Sequence, residues 1–190
     1  MGDHRANERL AHRPVSEPDL RYPIGKHSLG SSLTPAERVA CIDQIAAAPA
    51  NFRRAVANLT DAQLDTPYRP QGWTVRQVAH HLPDSHMNAY IRFKGGLTED
   101  APTIKTYEEK DWAKTPETRA PIAMSLDLLT ALHQRWVTLL RAMTPADFAR
   151  PITHPDLGKL TLDGLLGMYA WHGRHHTAHV TALRDRMGWK

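Results

Sequence analysis

Residues 161–189, TLDGLLGMYAWHGRHHTAHVTALRDRMGW, carry an apolar stripe of helical spacing that is broken in its middle. Leu162, Leu165, Leu166, Tyr169, Val180, Leu183 and Met187 recur at steps of three and four, the pattern of a helix with one buried side. Between Tyr169 and Val180 the stripe asks for two further core residues, and the chain supplies His172 and His176. Four residues along an α-helix is about 40° of rotation and about 6 Å of rise, so both imidazoles leave the same face. That face points into the protein.

Two inward histidines one turn apart suit a divalent ion, because neutral imidazole ligates zinc, nickel, copper or iron at about 2.0 to 2.1 Å. The pair is also compatible with core histidines bonded to carbonyls or carboxylates. His175 and His179 make four histidines in eight residues, and a distant cluster holds His80, His81 and His86. Seven of the twelve histidines thus fall in two short segments, and a metal site draws its ligands from more than one element.

The other segments read as helices and connectors. Residues 1–33 are polar, contain Pro14, Pro18 and Pro23, and show no sustained period; residues 1–20 are expected to be a disordered extension and residues 21–190 the folded domain. Thr34, Pro35 and Glu37 form a capping box ahead of a helix with Val39, Ile42, Ile45, Phe52, Val56 and Leu59 on its apolar side, and Pro49 predicts a kink or break in it. Thr74 and Gln77 cap a second helix, to about residue 94, with Val75, Val78, Leu82, Ala89 and Phe93 as its core stripe. His81 flanks that stripe and is the better inward ligand; His80 turns toward Arg76 and Asp84. Pro83 predicts a bend beside it. A polar linker over residues 95–120 includes a short helix near residues 106–112. A third helix spans about residues 121–143, where His133 reads as a surface or rim residue. A connector over 144–159 leads to the fourth helix.

Residues 59–77 and 143–164 repeat one design faintly: a turn opening on Thr, a Pro, a Gly and a second Thr cap. Two helix–connector–helix units make an all-α four-helix bundle with long connectors, the histidine clusters lying on its second and fourth helices. Three histidines on one ion leave a position open for water or substrate, the pattern of catalytic rather than structural zinc. Such a site activates a bound water for hydrolysis or holds a thiolate; Asp84, His175 and His80 are candidates for supporting it.

The net charge of +4 comes from Lys and Arg mixed with Asp and Glu along the chain, not from a basic arm, which argues against nucleic acid. No apolar run is of membrane-spanning length, no apolar signal core opens the chain, and the single cysteine, Cys41, has no internal disulfide partner. A cytoplasmic protein acting on a small molecule is expected.

GWTVRQVAHHLPDSHMNAYIRFK, residues 72–94, and YAWHGRHHTAHV, residues 169–180, with RYPIG near the start, resemble the YfiT-like branch of the DinB superfamily. The resemblance implies a DinB-type four-helix bundle, a homodimer, and one divalent ion per chain, zinc first and nickel second, on His81, His172 and His176. It implies a metal-dependent hydrolase. The alternatives are a bacillithiol-type low-molecular-weight-thiol S-transferase and a non-catalytic metal-binding stress-response protein. The sequence departs from the pattern at Pro83, where a small residue is expected.

Overall fold

The structure is a computed structural model that describes residues 19–28 and 32–190. The expected disordered extension falls almost wholly on residues 1–18, outside the described residues. Four long helices dominate the architecture: α1 (Pro35–Ala55), α3 (Val75–Thr98), α5 (Ala123–Ala142) and α7 (Leu162–Met187). Single-turn helices α2 (Asp61–Leu64), α4 (Glu109–Trp112) and α6 (Pro145–Phe148), with a 3₁₀ turn at Pro116–Arg119, punctuate the connectors. No helix among the described residues is long and apolar enough to cross a membrane.

Local chemistry sets the helix starts. Thr34, Thr60, Thr74 and Thr144 each accept from the backbone N–H three residues on, while Glu37, Gln63, Gln77 and Asp147 reach back to the cap, so two orphan donors are satisfied at each of these four starts. Thr161 caps α7 from Gly164, and Gly188 closes it in the left-handed conformation at φ 66°. Neither interior proline breaks its helix: α1 runs unbroken past Pro49 and α3 past Pro83. Each helix has enough buried neighbours to hold it through the missing bond.

The connector before α7 departs from the all-helical expectation. It folds as an antiparallel hairpin of β1 (Pro151–His154) and β2 (Gly158–Thr161), turning at Gly158 with φ 74°. The faint repeat is visible here: Pro67 bridges Thr74 ahead of α3 as Pro151 pairs with Thr161 ahead of α7. Each of the two helices that carry histidine clusters, α3 and α7, is thus entered through a Thr-capped turn and a Pro–Thr bridge.

α1 and α3 each pack against both α5 and α7, so the two helices of a repeat unit face each other across a diagonal. That places α3 beside α7. The apolar interior is divided in two: Phe93, Trp136, Leu140, Ile152, Leu162 and Leu166 belong to one cluster, and Phe52, Val78, Leu82, Leu129, Val180 and Leu183 to another. Along α3, α5 and α7 the residues between these clusters include His86, His133, His172 and His176, with His81 beside Leu82 at the edge of the second cluster. Met187 and Val39, expected on apolar stripes, are exposed.

The start of α7 is fixed by an ion pair. Arg38 on α1 donates to Asp163 from Nε at 2.8 Å and Nη2 at 2.7 Å, and Leu33 N–H adds a bond at 3.2 Å. Asp163 is 2% exposed, so its loss leaves Arg38 without its anion in a partly buried setting. Asp163→Ala is expected to cost about 3 to 5 kcal/mol in urea denaturation. A loss under about 1 kcal/mol, the range of an exposed pair, contradicts this.

Candidate metal centre

Burial brings the histidines of α3 and α7 together at mid-bundle. One ring nitrogen from each of His81, His172 and His176 lies within 4.8 Å of the others, the sole such group of three among the described residues. His81 Nε2 and His172 Nε2 are 3.4 Å apart. His81 and His176 are buried and His172 is half-buried, and all three line a cavity of about 540 Å³. That volume suits a small molecule.

Two imidazole nitrogens facing at this distance need a proton or a cation between their lone pairs. Burial disfavours the proton. It pushes His81 down to about 4, and it lowers His172 and His176 well below the ordinary histidine value, neighbouring histidines adding to the effect. Three neutral imidazoles with converging nitrogens could hold a divalent metal ion.

Other imidazoles surround this group. His86 Nε2 lies 3.0 Å from His172 Nδ1, His86 Nδ1 lies 2.7 Å from His133 Nε2, and His133 Nδ1 lies 2.7 Å from the Ile45 carbonyl. His133 is 2% exposed, which overturns its reading as a surface or rim residue. It continues the α5 stripe of Leu126, Leu129, Trp136 and Leu140, and that spacing was available in the sequence. On the other flank His179 Nδ1 is 3.4 Å from His176 Nδ1, and His179 Nε2 donates to the Arg21 carbonyl at 3.1 Å.

The three supporting candidates separate. His175 lines the cavity, stacked on Trp171 at 4.2 Å with its Nδ1 unpartnered. His80 is engaged elsewhere: Nδ1 meets Ser125 Oγ at 2.7 Å and Nε2 donates to the Ala120 carbonyl at 3.1 Å, tying α3 to the connector before α5. Asp84 is not among the cavity residues; burial and the nearby Glu117 push its carboxyl up to about 6. A carboxylate missed in the sequence does line the cavity. Glu109 on α4 is open to solvent as a residue, yet its enclosure by the protein raises its carboxyl above the usual range, with Arg92 opposing. It lies in the short helix of the polar linker, beside Glu108 and Asp111, where no pattern singles out one acid.

Trp73, Tyr68 and Trp171 wall the cavity: Trp73 leans on His81 at 4.6 Å and Tyr68 stacks on His179 at 3.9 Å. Arg21, Arg69 and Lys110 add positive charge. Cys41 is on α1 and is not among the cavity residues; burial raises its thiol, in keeping with a packing role.

A DinB superfamily family model matches residues 44–180. Proteins of Bacillus mycoides strain KBAB4 and Bacillus cereus strain AH820, each named "Putative metal-dependent hydrolase", are 50% identical over 171 residues, covering 90% of this chain and 99% of theirs. The solved structure of YfiT from Bacillus subtilis superposes with a TM-score of 0.88 at 48% identity, covering 90% of this chain and 99% of that one. Its description reads "a probable metal-dependent hydrolase with an unusual four-helix bundle topology". The diagonal placement of α1 and α3 is the topology found here.

The buried histidines make the metal-free protein sensitive to acid. His81 and His133 titrate near 6.5 when unfolded and near 4 when folded, so between these values the unfolded chain binds more protons. Their stabilisation is complete above about pH 6.5 and drains as pH falls toward 4, by on the order of 3 kcal/mol for each. Urea midpoints for metal-free protein are expected to drop between about pH 7 and about pH 5. Equal midpoints contradict the burial of neutral imidazoles.

Proposed function

Because the chain belongs to the DinB superfamily, we propose that it is a metal-dependent hydrolase of a small molecule, with one divalent ion held by His81, His172 and His176. Zinc is the first choice and nickel the second, on the all-imidazole donor set. The observation that carries this reading is the convergence of three neutral imidazole nitrogens from two helices, within 4.8 Å, on residues that line an open cavity. When bound, the ion supplies Lewis-acid polarisation and brings the pKa of water in its open position to about 7.

The chain's own residues would do the rest. Trp73, Tyr68 and Trp171 present flat apolar faces that orient the substrate and exclude bulk water from the site. Arg69 and Lys110 attract negative charge on the substrate. Glu109, held above the usual carboxylate range and facing the same space, is placed to take the proton from the attacking water and return it to the leaving group.

A second reading, a low-molecular-weight-thiol transferase, draws on the same cationic residues, which suit the charged remainder of a thiol co-substrate. Since Cys41 is not a cavity residue, the thiolate would come from that co-substrate. The readings part on whether turnover needs added thiol.

Elemental analysis of protein purified without added metal is expected to give about one zinc or nickel per chain, lost in His81→Ala, His172→Ala and His176→Ala. Binding that persists in any of the three overturns the ligand assignment. With a substrate found among esters and amides, Glu109→Gln is expected to lower kcat by about 100-fold or more at unchanged metal content. A wild-type rate in that variant removes Glu109 from the chemistry.

A further inference from the structure

A helical N–H at position 49 would donate to the Ile45 carbonyl four residues back, but Pro49 has none. The Ile45 oxygen instead receives His133 Nδ1 at 2.7 Å. A carbonyl only accepts, so His133 carries its proton on Nδ1, and in the neutral ring Nε2 is left as a bare acceptor. That nitrogen lies 2.7 Å from His86 Nδ1, which therefore holds the His86 proton and leaves His86 Nε2 bare. His86 Nε2 in turn lies 3.0 Å from His172 Nδ1, so His172 is protonated there as well. Its remaining nitrogen, Nε2, turns its lone pair to the ligand group, 3.4 Å from His81 Nε2. One backbone oxygen settles the proton on three rings in succession.

We propose that His133 and His86 are positioning residues for the metal centre, locking His172 in the tautomer whose Nε2 is free to ligate. The inference rests on the metal reading above. Helix α5 donates no ligand, yet through His133 it governs how tightly the α3 and α7 ligands hold the ion. The relay holds protons and does not conduct them: it ends on a carbonyl, which has no proton to give and cannot keep one. The two tautomers of a neutral imidazole are close in energy, and the Nε2–H form of His172 would put a proton where the ion belongs. Facing ring nitrogens 2.7 and 3.0 Å apart share one proton at each contact, so each contact keeps one nitrogen bare, as the lock requires. His176 is handled the same way from the other side, because His179 donates from Nε2 to the Arg21 carbonyl and so must accept at Nδ1 from His176. A second ring nitrogen of a metal-bound histidine usually finds a carboxylate, carbonyl or water. Here it finds another histidine.

His133→Gln keeps both functions, donating to the Ile45 oxygen through Nε2 and accepting from His86 through Oε1; His133→Leu keeps bulk and loses both. Zinc affinity, measured by competition with a chromophoric chelator, is expected to fall about 10- to 100-fold in His133→Leu and to stay near wild type in His133→Gln. Circular dichroism checks that both variants are folded. In metal-free wild-type protein, ¹⁵N–¹H correlation of the imidazoles is expected to show the Nδ1–H tautomer at His133, His86 and His172. This reading stands even if the leucine variant fails to fold.

An Nε2–H tautomer at His172 overturns the relay alone. So does wild-type affinity in folded His133→Leu, or a glutamine variant as weak as the leucine one. Wild-type protein that shows the expected tautomers but binds no zinc overturns the metal reading, and the positioning role with it.

Discussion

An imidazole layer in the middle of an apolar bundle is tolerable only if its N–H groups find acceptors, since an unmatched buried donor costs about 1 to 3 kcal/mol. That condition organises this molecule. His133 and His179 reach backbone carbonyls, of Ile45 and Arg21, and His86 sits between His133 and His172. What remains after the N–H groups are matched is a set of lone pairs turned toward a common point. The apolar clusters on either side keep the rings neutral and therefore keep the lone pairs available. The same burial that makes the layer costly leaves it able to hold a metal ion.

Backbone irregularities serve this arrangement. Pro49 removes one helical donor from α1, and the vacated carbonyl becomes the anchor of the His133 contact, so an apparent helix breaker supplies an acceptor deep in the core. The helix survives because Ile42, Ile45, Ala48, Phe52 and Ala55 are buried on both sides of the proline. The diagonal placement of α1 and α3 sets α3 against α7, which is what allows histidines far apart in sequence to meet. The hairpin before α7 and the bridge before α3 bring the two histidine-bearing helices in by similar routes.

Much of the site was legible as interruptions in apolar stripes. His172 and His176 occupy core positions of α7, and the same test marks His86 between Leu82 and Ala89 and His133 between Leu129 and Trp136. His133 was read instead as a rim residue, because a single histidine on a helix gives no sign of its partner. Its partners, His86 and the Ile45 carbonyl, are on two other helices. Glu109 was illegible for a different reason. It belongs to a single-turn helix in a long connector, and only packing against the bundle brings it to the cavity that the histidines line.

The sequence alone determined the four long helices, the Thr caps of α1, α3 and α7, and the face of α7 that turns His172 and His176 inward, because capping and amphipathic spacing are local properties of the chain. It also carried the likeness to the DinB superfamily in two histidine-bearing segments, now matched by a family model over residues 44–180. Tertiary structure decided which helices became neighbours, that the connector before α7 would pair as strands, and which imidazole bonds to which. Proton placement on a ring depends on the atom facing it across the bundle, and no spacing along one helix encodes that atom.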